Sequence, residues 1–322
     1  TTLVTFGGAF FASFPMFYAT SFGGAYWVWL IILFSFIIQA ISYEYRRKPG
    51  NFLGEKTYNT FLFINGLLGT ILIGAAVSTF FTGNLFSVDR IRLTDVTNSA
   101  ITQWETASHG LEAILNIQNV LLGLAVFFLA RVLGSLYFID TIDNDEIFKR
   151  SKKQIAYNSI PFLVAFIAFM VILCTKEGFA VDPHSKEVFM EPNKYLHNYL
   201  QMPLILIFLI LGVVGVLTGI AITLFRNSKK GFWFSGFGTV LVVFSLFAVA
   251  GFNQTAYYPS MYDLQSSLTI QNSSSSRYTL TVMSYVSLMV PFVIAYIWYA
   301  WKSMNKKPID NDEVEAEGDH MY

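Results

Sequence analysis

Apolar residues along the 322-residue chain fall in long blocks rather than in alternation. Eight stretches reach or approach the roughly 20 residues that an α-helix needs to cross a hydrocarbon core. They are A (Leu3 to Ser21), B (Gly24 to Tyr43), C (Tyr58 to Phe81), D (Asn116 to Ile139), E (Ile155 to Thr175), F (Leu200 to Phe225), G (Phe232 to Phe252) and H (Tyr278 to Trp301). None has the two-residue period of a membrane barrel strand. The pattern predicts an all-α polytopic membrane protein of eight transmembrane helices, with residues 1–302 forming the integral membrane domain. Residues 303–322 are acidic and poor in large apolar side chains, which predicts a disordered tail. The polar segments after C, E and G are longer than those after B, D and F, so the expected structure outside the membrane is modest and lies mainly on one side.

Charge tests the span count, because basic residues collect in the loops on the cytoplasmic side. Arg46, Arg47, Lys48 and Lys56 follow B, Lys149, Arg150, Lys152 and Lys153 follow D, Arg226, Lys229 and Lys230 follow F, and Lys302, Lys306 and Lys307 follow H. The alternate segments hold Arg90, Arg92, Lys176, Lys186, Lys194 and Arg277. The asymmetry puts the loops after B, D and F and the C-terminus in the cytoplasm, and with eight spans the N-terminus as well. Tryptophan favours the headgroup zone. Trp27, Trp29 and Trp104 fall at the predicted outer surface, and Trp233, Trp298 and Trp301 at the inner one.

Composition narrows the chemistry. The chain is 54% hydrophobic and 13% charged, where soluble domains carry about a quarter charged residues. Basic and acidic residues balance at 21 each, so no overall charge draws the chain to nucleic acid. The single cysteine, Cys174, rules out an intrachain disulfide and a multi-cysteine metal site. His109, His184, His197 and His320 all lie outside the predicted spans, which leaves no histidine placed as an axial haem ligand. Met170 and Met289 are better explained as core-filling residues. Catalytic, metal-binding and cofactor-binding residues are therefore not expected in this chain.

The polar exceptions are few. Arg131 lies about two turns inside helix D, where an unsatisfied charge is costly. It is expected to be buried against protein rather than to face lipid, either snorkelling toward the inner surface or pairing in a subunit seam, or else serving proton or quinone handling. Asn65 in helix C and Gln39 near the inner end of B are expected to hydrogen-bond between helices. Small residues predict tight seams at Gly66, Thr70 and Gly74, at Gly215 and Gly219, and at Gly8 and Ala12. Pro15, Pro161, Pro203 and Pro291 lie in or near span ends.

Three segments carry a family resemblance. GGAFFASFPMFYATSFGGAYW (Gly7 to Trp27) resembles the glycine-rich, FP-containing join between the second and third helices of subunit II of cytochrome bd-type quinol oxidases. QAISYEYRRK (Gln39 to Lys48) is similar to the end of that family's third helix. SLTIQNSSSSRYTLTVMSYVSLMVPFVIAYIWYAWK (Ser267 to Lys302) resembles its serine-rich outer turn and last helix. The family has nine helices, so the resemblance implies that the first is absent here, together with the acidic residue of the proton route near the start of the second. A tryptophan–aspartate pair frequent in the family is replaced by Gln271 and Asn272.

The resemblance implies two four-helix bundles plus a peripheral helix, paired pseudo-symmetrically with a haem-bearing subunit I in a prokaryotic cell membrane. It implies a complex that oxidises quinol and reduces oxygen to water, in which this subunit ligates no haem, supports subunit I and contributes to proton delivery. A structural quinone, membrane lipid and a small accessory membrane subunit are the further partners it implies. A secondary transporter is the rival reading of such a helical chain, but it requires a mid-membrane substrate site and broken helices in pairs, for which these spans offer almost no charge.

Overall fold

The computed structural model describes residues 2–48, 50–89 and 101–304. The acidic tail lies outside the described residues, as do Arg90, Arg92, Lys306, Lys307 and His320. Among the described residues, seven helices are long and apolar enough to span a membrane: Tyr26–Tyr45, Glu55–Thr82, Ile117–Thr141, Asp145–Thr175, Pro203–Arg226, Gly231–Gly251 and the bent helix Arg277–Ser303. In chain order the helices are α1 (Thr2–Ser13), the single turn α2 (Pro15–Phe17), α3 (Tyr26–Tyr45), α4 (Glu55–Thr82), α5 (Ile117–Thr141) and α6 (Asp145–Thr175). They continue with α7 (Lys194–Gln201), α8 (Pro203–Arg226), α9 (Gly231–Gly251), α10 (Ile270–Ser273), α11 (Arg277–Ser287) and α12 (Val290–Met304).

Predicted span A is helical but interrupted. Phe14 leaves helical geometry at φ −135°, directly before Pro15, because the proline ring disfavours the helical conformation in the residue before it. The chain then runs through a π-helical segment, Tyr18–Gly24, into α3. Span A is thus a 12-residue helix and a wider-wound second half, and the eighth full crossing expected from the sequence is not among the seven long helices. Span E reaches well past its expected start, because Asn144 caps α6 by accepting from the Glu146 and Ile147 amides. Pro161 sits inside α6 without ending it. Pro203 occupies the first turn of α8, where the missing amide costs nothing.

The helices pack mostly with their neighbours in sequence. α5, α6, α8 and α9 form one four-helix bundle, α4 lies along α5, and α3 lies along α4. α1 meets α11, and the Ser275 amide donates to the Ser13 carbonyl at 2.9 Å. Helix α11 contains no buried residue. Near the end of α12, Trp301 meets Trp233 of α9 edge to face at 5.1 Å.

Two seams bring backbones together. A Cβ on Gly74 would stand 2.6 Å from the Cα of Gly123, and one on Gly238 would stand 2.6 Å from the Gly212 carbonyl oxygen. Gly215 and Gly219 also face α9, as the sequence predicts, whereas Gly66 and Gly8 have nothing within 4 Å of an added Cβ. The expected seam on helix C is therefore carried by Gly74, and Gly8 makes no close backbone approach among the described residues.

One side of the helix array carries two antiparallel hairpins. β1 (Phe86–Val88) pairs with β2 (Thr102–Trp104), and β3 (Gly178–Val181) pairs with β4 (Val188–Glu191). The 252–269 connector bridges to both, through Asn84 with Ser260 and Ala180 with Thr255. The opposite side holds the short turns with Arg46, Lys229 and Lys230 and the start of α6 with Lys149 and Arg150, and is called the basic side below.

Candidate functional site: polar groups in an apolar frame

The bundle of α5, α6, α8 and α9 is filled by side chains such as Leu122, Phe162, Phe166, Val216, Val242 and Leu246. They enclose a cavity of about 70 Å³ whose one polar lining residue is Thr239. No nitrogen or sulfur side chain lines it, so the cavity offers a haem iron no such ligand. The described histidines lie on the hairpin side: His109 in the β2–α5 connection, His184 in the β3–β4 turn and His197 on α7. His109 is fixed by Nδ1 against the Gly24 carbonyl at 3.1 Å and by stacking near Tyr26, and His197 pairs with Glu191 at 3.0 Å. Cys174 is half-buried on α6.

The structure separates the polar residues singled out from sequence into two places. Asn65 is buried on α4, and its Oδ1 accepts from the hydroxyl of buried Ser35 on α3. Gln39 is half-buried on α3, and helical spacing puts it on one face with Ser35 and buried Ser42. This stripe runs from the basic side toward mid-helix along the α3–α4 interface. The serines carry no sequence signal by themselves, since serine is common in membrane helices. What marks them is their alignment with Asn65.

Arg131 stands apart, between α5 and α6. Its Nε donates to Asn158 Oδ1 at 2.9 Å and its Nη2 to Gln154 Oε1 at 3.2 Å, while the guanidinium lies 5.7 Å from the Phe127 ring centroid. Asn158 also donates to the Gln154 carbonyl at 2.6 Å. The arginine is thus held by protein on one side, although its side chain is exposed on the surface of this chain. Gln154 and Asn158, four residues apart where the basic start of α6 gives way to its apolar run, are the signal that sequence inspection passes over.

A third polar group lies at the hairpin side, where sequence gave no warning. Thr82 Oγ1 donates to Asn119 Oδ1 at 2.9 Å, and Asn119 donates to the Ala113 carbonyl at 3.0 Å. Ser78 Oγ, Asn84 Nδ2 and Gln118 Nε2 are buried beside them without a partner among the described residues. Asn84 borders an aromatic cavity of about 140 Å³, walled by Phe17, Phe22, Trp29, Phe80 and Tyr258. Next to it, Glu112 accepts from Thr106 Oγ1, Ser108 Oγ and the Gly110 amide at 2.6–3.0 Å. Burial pushes its carboxyl up, but these hydrogen bonds outweigh that and hold it below the usual glutamate value.

The basic side closes with local ion pairs. Lys48 meets Glu44, Arg46 faces Glu55 at 3.9 Å, Arg150 meets Glu146 at 2.6 Å, and Lys229 meets Asp143 at 2.7 Å. Exposed pairs of this kind contribute little to stability. Among the described residues no three His, Cys, Asp or Glu side chains are grouped as metal ligands.

Comparison with known proteins agrees with this architecture. The chain is 26% identical to cytochrome bd-I ubiquinol oxidase subunit 2 of Escherichia coli K12, over 99% of this chain and 83% of that protein. It is 26% identical to the probable cytochrome oxidase subunit 2 of Haemophilus influenzae, over 94% of this chain and 79% of the relative. The same identity holds to cytochrome bd ubiquinol oxidase subunit 2 of Bacillus subtilis 168, over 92% and 77%. Residues 1–304 match the family described as cytochrome bd terminal oxidase subunit II. The match runs through every helix described above, and the chain belongs to that family.

Proposed function

We propose that this chain is the non-haem-ligating membrane subunit of a quinol-oxidising, oxygen-reducing complex, packed against a haem-bearing subunit I. The observation that carries the reading is the bundle interior: it is apolar and lined by no side chain that could ligate haem iron, in a chain whose relatives are named as subunits of ubiquinol oxidases. Such a subunit contributes structure rather than electron transfer. Its packed helices exclude water beside the partner and offer an apolar face for it, and the unburied helix α11 leaves surface of this kind.

Support of proton delivery from the basic side fits the α3–α4 stripe of Ser42, Gln39, Ser35 and Asn65, because hydroxyls and amides on one face can order hydrogen-bonded water along which a proton moves where carbon cannot. A quinone held in a structural role would find aromatic walls and a donor, Asn84 Nδ2, in the hairpin-side cavity. The basic side, and with it the C-terminus, faces the cytoplasm in this reading.

The test is to express the chain with and without subunit I and to record haem spectra and quinol-dependent oxygen consumption. Haem and activity only in the pair support the proposal. Stoichiometric haem or oxidase activity in the isolated chain overturns it. Asn65→Val in the pair is expected to slow proton uptake while leaving the haem spectrum unchanged.

A further inference from the structure

We propose that the outward groove between α5 and α6 on the basic side binds the headgroup phosphate of an anionic phospholipid, with Arg131 as its deepest ligand and Lys153 above it.

The case begins with depth. Helix α6 has 31 residues, or roughly 46 Å at 1.5 Å per residue, so it overruns a hydrocarbon core about 30 Å thick. Counting about 20 residues back from its hairpin-side end at Thr175 puts the core boundary near Ala156. Lys153 and Gln154 therefore lie at the boundary, and Arg131, bonded to Gln154 and Asn158, lies at or just inside it.

The surface at this level has the amphipathic order of a lipid. Tyr157, Ile160, Val164, Ile167 and Val171 are all exposed at 56–67% and recur at helical spacing along one face of α6. Lys153 stands at the basic end of that face, with its ammonium 5.7 Å from the Tyr157 ring centroid. Apolar side chains suited to an acyl chain thus end in a cation and a tyrosine at headgroup level. Gly134, one turn beyond Arg131, has nothing within 4 Å of an added Cβ and leaves the groove open.

The chemistry of Arg131 specifies the sign of the ligand. Guanidinium has five N–H donors. Asn158 and Gln154 take two of them, and both partners are neutral amides, so the charge itself is not compensated among the described residues. The four acidic groups toward the nearby turn, Asp143, Asp145, Glu146 and Asp140, do not answer it: Asp143 is engaged by Lys229 and Glu146 by Arg150, Asp140 lies more than two turns along α5, and Asp145 opens α6 more than two turns from Gln154. A lipid phosphate reaches this depth from the bilayer side, accepts the remaining donors, and meets the second cation on Lys153. Basic pockets between membrane helices recognise anionic headgroups by this combination.

The assembled complex, purified in mild detergent and delipidated, is titrated with phosphatidylglycerol and with phosphatidylcholine of the same acyl chains, and bound lipid is counted by native mass spectrometry. Wild type is expected to retain phosphatidylglycerol in preference. Arg131→Gln and Lys153→Gln are each expected to weaken that retention about fivefold, with phosphatidylcholine unchanged. Arg131→Lys is expected to keep most of it, and Gly134→Leu to lower it without any change of charge. If Arg131→Gln fails to assemble, Lys153→Gln carries the test, since that exposed side chain meets only the Tyr157 ring. Equal retention of the two lipids by wild type overturns the proposal, as does undiminished retention in the Lys153→Gln variant. Displacement by inorganic phosphate at the same concentration would assign the site to a soluble anion and also overturn it. Loss of a partner subunit from Arg131→Gln with lipid retention intact would assign the arginine to a protein interface instead, with the same consequence.

Discussion

Single polar side chains on the hairpin side show what holds the extramembrane cap in place. Asn198 is fully buried on α7, donates to the Val249 carbonyl at 3.0 Å and to Thr255 Oγ1 at 2.8 Å, and accepts from Asn253 at 2.9 Å. It joins α7, the end of α9 and the following connector. Asn198→Ala leaves those groups buried and unpaired, so a loss of about 1–3 kcal/mol is expected, read as a lower melting temperature of the purified complex. Glu112 plays a similar part with a charge. Its pKa in the fold is depressed, so its contribution is present above the usual glutamate value of about 4.3 and is lost as pH falls through the lower folded value. Amide exchange in residues 106–113 is expected to rise in wild type only as pH falls below the usual glutamate range and to be raised already at neutral pH in Glu112→Gln. None of this was legible in the sequence. Asn198 lies in KYLHNYLQ, which merges into the apolar start of span F, and Glu112 becomes an acceptor only when the turn from Thr106 to Gly110 folds over it.

Between helices, legibility depends on whether a property belongs to one helix or to a pair. Span length belongs to one helix, and spans B, C, D and G lie within about three residues of the expected bounds. Pro15 was visible only as a proline in or near a span end, and the π-helical segment after it accompanies a packed aromatic set in which Phe17 meets Phe10, Phe22 and Tyr258. Seams belong to pairs, which is why spacing on helix C pointed equally to Gly66 and Gly74 although only Gly74 has a facing glycine, Gly123. Asn65, in contrast, was visible as an amide in apolar surroundings, but its partner Ser35 was not. The seam makes a sharp prediction. Gly123→Val forces α4 and α5 apart and is expected to cost about 1–3 kcal/mol, whereas Gly66→Ala is expected to change thermal stability by less than about 0.5 kcal/mol. Thermal melts of the two variants, assembled alike, measure the difference.

At the scale of the molecule, the distribution of charge orients the helix array. The basic side holds Arg46, Lys48, Lys229 and Lys230 in short turns and Lys149, Arg150, Lys152 and Lys153 on the first turns of α6, while the hairpin side carries both sheets and a few dispersed cations such as Lys176, Lys186 and Lys194. Translocating many cations across a membrane is disfavoured, so the basic side is expected to face the cytoplasm. The asymmetry does not depend on whether span A crosses fully, because the seven long helices alone place the turns after α3, α5 and α8 on one side and those after α4, α6 and α9 on the other. Two cysteines test this reciprocally in a Cys174→Ala background. Ser185→Cys, exposed in the β3–β4 turn, is expected to react with an impermeant maleimide in intact cells, and Ser228→Cys, between α8 and α9, only after the membrane is opened. Strong labelling of Ser228→Cys in sealed cells, with Ser185→Cys protected, would invert the topology and place the α3–α4 polar stripe at the wrong surface for proton uptake from the cytoplasm.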